Sequence, residues 1–287
     1  VKVHHQFQLK LAPWALLFVA AAWGLSFVVM KDAIQRQSVN NFLFTRFALA
    51  TIVMLLIHPQ VIKSFNRDLI KRAGLAGTFL GFGFIFQTLG LERTGVAITG
   101  FITGLYVVAT PLLAAVFLKE RITKFIWLCI FIATIGLALL SIQEFSVGFG
   151  EMLVLISAIF FALHIIVLSK WSSGNDAYTM TIIQLSVCAL MSGIASIPQG
   201  YQSPPDKGVW AAIIFTAVFA TAIAFIVQTW SQAHLSATKV AVILTMEVVF
   251  AAFFAVLFGN EILTLQVLFG GGLVLVAMYL IVLKEAK

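Results

Sequence analysis

Runs of roughly 17–25 apolar residues recur along the whole chain, and each can cross a hydrocarbon core about 30 Å thick at about 1.5 Å per residue. A backbone in lipid must satisfy its own polar groups, so such runs fold as helices. Strands of a membrane barrel would alternate apolar and polar residues, and these runs do not. A water-soluble alternative fails on composition: 10% of the 287 residues are charged and 61% are hydrophobic, against about 25% charged in soluble domains. The expected fold class is therefore an all-α integral membrane protein with ten transmembrane helices. The expected spans are 11–30, 40–57, 72–91, 96–118, 124–142, 149–169, 177–197, 209–230, 238–258 and 264–283. Connections are short, so consecutive helices pack antiparallel. The longer loops run from Pro59 to Lys71 and from Gln199 to Lys207, the latter carrying the turn-forming pair Pro204-Pro205.

Lys2 and Lys10 precede an apolar run containing Ala20-Ala21-Ala22, which imitates a signal peptide. The run continues to Met30, too far for a cleaved segment, and reads as the first span. Orientation follows from lysine and arginine placement. With the N-terminus inside, the inner segments hold Lys2, Lys10, Lys63, Arg67, Lys71, Arg72, Lys119, Arg121, Lys124, Lys170, Lys239, Lys284 and Lys287. The outer segments hold only Lys31, Arg36, Arg93 and Lys207. Both termini are expected in the cytoplasm, with the protein in a bacterial inner membrane. The net charge of +7 is then a topology signal and a contact to anionic lipid, not a nucleic-acid surface. Cys129 and Cys188 both fall inside apolar runs and read as core thiols, with no disulfide or zinc motif around them.

The two halves of the sequence match each other. An offset of 141 pairs Gln87-Thr88 with Gln228-Thr229, Val107-Val108 with Val248-Val249, and Glu120 with Glu261. The same offset pairs Ala114 with Ala255, Phe117 with Phe258 and Thr123 with Thr264. Nearer the start, an offset of 138 places Trp23 against Phe161, Ser26 against His164 and Arg46 against Gln184. Each half, 1–142 and 143–287, holds five spans. An odd number turns the second half upside down, so two inverted five-helix repeats are expected around a central cavity, a recurring design of secondary transporters.

Trp23-Gly24-Leu25-Ser26-Phe27 closes the first span and Arg46 follows in the second. Thr110-Pro111-Leu112 runs into Phe117-Leu118-Lys119-Glu120-Arg121, and Glu247-Val248-Val249 leads to Phe258-Gly259-Asn260-Glu261. In order and spacing, nearly the whole chain resembles the drug/metabolite transporter superfamily in its ten-helix EamA branch. Two departures stand out. Glu247-Val248-Val249 lacks the proline common in that family, and Lys119-Glu120 and Asn260-Glu261 replace its Gly-Glu. The resemblance implies a basket of helices working by alternating access on amino acids, metabolites or drugs, with export the commoner direction. For several branches it also implies protons as coupling ion.

Polar groups at membrane depth are costly and tend to face a cavity. Trp23, Ser26, Arg46 and Gln87 are expected in an outer cluster, and Phe161, His164, Gln184 and Gln228 in an inner one. Tyr106 and Glu247 form a central pair. Arg46 either forks onto a substrate carboxylate or snorkels to the interface. Glu247 either carries a proton, neutralises a substrate amine, or is a neutral carboxyl tied to a neighbouring helix. His164 reads first as a hydrogen-bonded core group, with a proton relay as the alternative. Gln87 and Gln228 either bind solute or tie helices. Trp23, Phe27, Phe101, Tyr106 and Trp230 supply a candidate aromatic lining, while Trp14, Trp127, Trp171 and Trp210 read as interfacial anchors. Glu120 and Glu261 read as helix-end or turn residues rather than substrate ligands. Gly77, Gly81, Gly83, Gly100, Gly104 and Gly270-Gly271-Gly272 read as packing positions.

No His-Glu-x-x-His, Gly-x-Ser-x-Gly or phosphate-loop motif occurs, and Asp32, Asp68, Asp176 and Asp206 all lie in loops. No catalytic group, metal or cofactor is expected. The expected function is a secondary transporter of a small solute, amino acids or related metabolites with export favoured, working as a monomer or homodimer. A multidrug or nucleoside carrier, a channel and a membrane-embedded enzyme are the alternatives.

Overall fold

The computed structural model describes residues 2–118, 123–143, 146–235 and 237–285. Helices cover all ten expected intervals. They are α1 (Lys2–Ala33), α2 (Val39–Ile57), α3 (Arg67–Arg93), α4 (Val96–Thr103), α5 (Tyr106–Leu118), α6 (Lys124–Ser141) and α7 (Phe149–Trp171). The series continues with α8 (Ala177–Ser196), α9 (Lys207–Ala217), α10 (Ala224–Gln232), α11 (Ala237–Leu244), α12 (Met246–Leu257) and α13 (Leu265–Glu285). Among the described residues, seven continuous or joined helical stretches are long and apolar enough to cross a membrane, and three shorter apolar helices accompany them. The outer surface carries large apolar side chains such as Leu56, Val116, Phe131, Ile262 and Phe269, as a lipid-facing surface requires. The chain is a multi-pass membrane protein.

The helix ends have local causes. Asn66 accepts a hydrogen bond from the Leu69 N–H (2.8 Å), which starts α3 at Arg67, a full turn before the expected span. Asp176 caps α8 through the Thr179 N–H (2.7 Å). Asp206 caps α9 through the N–H groups of Gly208 and Val209. A two-residue β ladder, β1 (Ile142–Gln143) with β2 (Ser146–Val147), joins α6 to α7, so among the described residues the expected all-α architecture is interrupted by this short pairing.

Three expected spans are not uniform helices. The span 96–118 breaks between α4 and α5, and the span 238–258 breaks between α11 and α12. At both breaks the ladder tightens to i→i−3 bonds: Val107 N–H to Gly104 O, and Val248 N–H to Thr245 O. These two sites are 141 residues apart. The break at Thr245 forms without the family's proline. The third, 209–230, carries a π-helical turn at Val218–Ile223 between α9 and α10; such turns release carbonyls from the regular ladder.

Packing sets α1 against α12, α7 against α5 and α3, α2 against α8, and α6 against α13. Close approach depends on glycine. A Cβ on Gly24 of α1 would lie 2.6 Å from the Phe250 Cβ of α12, and one on Gly77 of α3 would lie 2.8 Å from the Gln184 backbone of α8. At the end of α12, Asn260 adopts φ 54°, the left-handed region where glycine is best and asparagine next. That explains how asparagine stands in for the family's glycine before Glu261.

Candidate functional site

A small cavity of about 40 Å³ lies at the centre of the helices, room for ordered water in this closed arrangement. Both broken helices open onto it: Thr103 ends α4, Tyr106 starts α5, Leu244 ends α11, and Glu247 lies in the first turn of α12. From α1 come Trp23, Ser26 and Phe27, and from α7 come Phe161, His164 and Ile165. From α3 come Leu80, Phe84 and Gln87, and from α10 come Phe225 and Gln228. Apart from Leu80, every lining position pairs with another at an offset of 138 or 141: Trp23 with Phe161, Ser26 with His164, Phe27 with Ile165, Phe84 with Phe225, Gln87 with Gln228, Thr103 with Leu244, and Tyr106 with Glu247.

Eight of the eleven candidate residues therefore line one cavity: Trp23, Ser26, Phe27, Gln87, Tyr106, His164, Gln228 and Glu247. The expected outer and inner clusters are not separate vestibules here; they meet in this shared space. Arg46, Phe101 and Gln184 stand outside its lining. Phe101 lies with its ring on Gly271 of α13. Trp230 sits against His234 with ring centroids 5.1 Å apart, also away from the cavity. Gln184 supports the wall from behind, accepting from His164 Nε2 at 2.8 Å while its own amide donates to the Met180 carbonyl. His164 is thus hydrogen-bonded and cavity-facing at once.

Arg46 is fully buried and neither snorkels nor reaches the cavity. Its Nε donates to Thr221 Oγ1 at 2.7 Å and its Nη2 to the Ala220 carbonyl at 3.2 Å. Both acceptors lie in the π-helical turn. The Trp23 indole N–H donates to the same Ala220 oxygen at 2.9 Å. The guanidinium lies 4.8 Å from the Phe84 ring centre and 5.4 Å from that of Phe47. Among the described residues it has no carboxylate partner. Arginine stays protonated in proteins, so hydrogen bonds and ring faces replace water around this cation.

Phe84 and Phe225 were missed in the sequence. The offset of 141 relates them and could have found them, but among 27 phenylalanines a single ring carries little signal. Phe84 packs edge-on against Phe161 (5.4 Å) and Phe225 (5.8 Å), and Phe225 lies 5.4 Å from Trp23. These rings form a continuous aromatic wall.

The face of the bundle where α1 ends is closed by polar links. Lys31 Nζ donates to the carbonyls of Leu91 (2.6 Å) and Thr94 (2.8 Å) at the end of α3. Glu261, expected as a helix-end or turn residue, accepts from the N–H groups of Val96 (2.6 Å) and Ala97 (3.1 Å) at the start of α4. Glu151 accepts from Thr94 Oγ1 at 2.9 Å. Arg36 pairs with Asp32 and, at 2.6 Å, with Asp206. The hydrogen bond to Asp32, then that to Asp206, holds the Arg36 guanidinium above its ordinary range. The Val209 N–H, with Arg36 and the Gly208 N–H, holds the Asp206 carboxyl below its own. Glu120, the partner of Glu261 at the 141 offset, lies outside the described residues.

The EamA-like transporter family profile matches residues 10–142 and again 148–283. This chain belongs to the EamA-like transporter family. Among EamA-like relatives, an uncharacterized transporter of Archaeoglobus fulgidus is 31% identical over 95% of this chain and 86% of its own length. The uncharacterized transporter YyaM of Bacillus subtilis is 28% identical over 85% of each chain. The pseudopaline exporter CntI of Pseudomonas aeruginosa is 23% identical over 91% of this chain and 93% of its own. A solved crystal structure superposes on this EamA-like chain with a TM-score of 0.64, covering 96% of both chains at 16% identity, so the two share a fold. Membership in the drug/metabolite transporter superfamily follows from these matches.

Proposed function

We propose that the protein is a secondary carrier that moves a small amino-bearing metabolite, an amino acid or a close relative, by alternating access. Ten helical passes form two five-helix halves inverted in the cytoplasmic membrane, with both termini inside and efflux as the working direction. One observation carries this reading: seven repeat-equivalent pairs line one cavity, and the helix breaks beside it recur at the same offset. In an inverted pair of repeats, the two halves can exchange conformations, which exchanges the open side. Closure at the Glu261 face fits an inward-facing or occluded state. The relative named as an exporter supports efflux.

The test uses cysteines at the equivalent positions Phe27 and Ile165, in a background with Cys129 and Cys188 replaced by alanine. In vesicles, conditions that raise labelling of Phe27→Cys from one face should lower labelling of Ile165→Cys from the other. Labelling that rises and falls together at both would remove alternating access. Saturable counterflow of labelled amino acids in proteoliposomes separates a carrier from a channel.

A further inference from the structure

Resting on the carrier reading, we infer that the cavity recognises its solute by an ammonium group, held by Glu247, Tyr106 and Gln228, and that it has no counterpart for a carboxylate. Hydrogen-bonding capacity around the cavity is unevenly used. Five side-chain donors of the lining are engaged within the protein. The Trp23 indole N–H goes to Ala220 O, Ser26 Oγ donates to Trp23 O at 2.7 Å, and Gln87 Nε2 donates to Thr103 Oγ1 at 3.1 Å. His164 Nε2 donates to Gln184, and Gln228 Nε2 reaches Gln232 Oε1 at 3.3 Å.

The acceptors are left over. Among the described residues, Gln228 Oε1 and the Tyr106 hydroxyl, which can accept as well as donate, are buried with no hydrogen-bond partner. Glu247 is 5% exposed and makes no hydrogen bond or ion pair among the described residues. Three unanswered oxygen-bearing groups in one apolar chamber call for a ligand that brings donors, and an ammonium brings three. Buried polar groups left unmatched are costly, so a ligand that satisfies all three gains more than its own contacts.

Charge and shape agree. Trp23, Phe161 and Phe225 bring aromatic rings to the lining, and aromatic rings attract a cation and accept an apolar body. The cation that would bind a carboxylate, Arg46, is walled off behind Phe84 and committed to the π-helical turn. The repeat-related site gives the same direction. Tyr106 and Glu247 are equivalents, so the frame is paired but the carboxylate occurs once, which polarises the chamber toward a single cationic group.

Three compounds of matched skeleton test this on the purified full chain: 2-phenylethylamine, phenylalanine and 3-phenylpropionate. Binding is read by calorimetry and by the shift in unfolding midpoint. The amine is expected to bind at least as tightly as the zwitterion and roughly 30-fold or more tighter than the acid, the effect of leaving one partner of a buried charge pair unmatched. Glu247→Gln should weaken amine binding by a similar factor, with Glu247→Asp retaining part of it. A preference for the acid or the zwitterion, no binding of the amine, or unchanged amine binding by Glu247→Gln would each overturn the inference. The three-compound comparison needs no variant, so it stands if Glu247→Gln fails to fold. Counterflow of the same compounds separates this inference from the carrier reading. Amine binding without counterflow removes only the carrier, and counterflow of the acid alone removes only the ammonium site.

Discussion

Glu261 joins the second half of the chain to the N-terminus of α4, and cutting that link should open the face it closes. Its carboxylate takes two backbone N–H groups, at 2.6 and 3.1 Å. Hydrogen bonds to a charged group contribute roughly 1.5–3 kcal/mol each when buried, and a charge at a helix N-terminus adds about 0.3–1 kcal/mol. Glu261 is half-buried, so the sum falls to about 2 kcal/mol, most of it present only in the closed state. That corresponds to a shift of about 30-fold in the open-to-closed ratio. The assay is the labelling rate of Phe27→Cys by a membrane-impermeant maleimide added from the Glu261 face, in the background lacking native cysteines. Glu261→Ala should label about 30-fold faster than its parent, and Glu261→Gln, which keeps one acceptor oxygen, should fall between them. Equal rates for Glu261→Ala and parent would refute the reasoning.

Arg46→Met should leave the thermal midpoint unchanged or raised, because it removes a buried charge that no carboxylate compensates; a clear drop in the midpoint would show that the cation is stabilising where it stands. Gly77→Ala should lower stability by roughly 1–3 kcal/mol through overpacking against α8, measured as a denaturation shift in detergent, while Gly74→Ala, whose added Cβ meets nothing within 4 Å, should be near neutral. The Arg36–Asp206 link depends on pH through the lowered Asp206 carboxyl. Its contribution is present above the ordinary aspartate value of 3.8 and is lost as pH falls through the lower folded value, so the thermal midpoint should lose that contribution only in that acidic window, and Asp206→Asn should remove this part of the pH dependence.

Sequence alone determined the membrane class, the positions of the helical segments and the repeat offsets, because apolar run length and residue type are local properties that lipid reads directly. The same offsets would have led to Phe84 and Phe225 had rings been weighed in pairs. Its reading of Glu261 as a helix-end or turn residue named no partner, since a partner 165 positions away leaves no local trace. Only the tertiary structure decided that Arg46 sits behind the cavity wall, that two nominal clusters share one chamber, and that two spans break beside Tyr106 and Glu247. These depend on which oxygen or ring face lies within about 3–5 Å of which side chain. That is set by how helices far apart in the chain pack together.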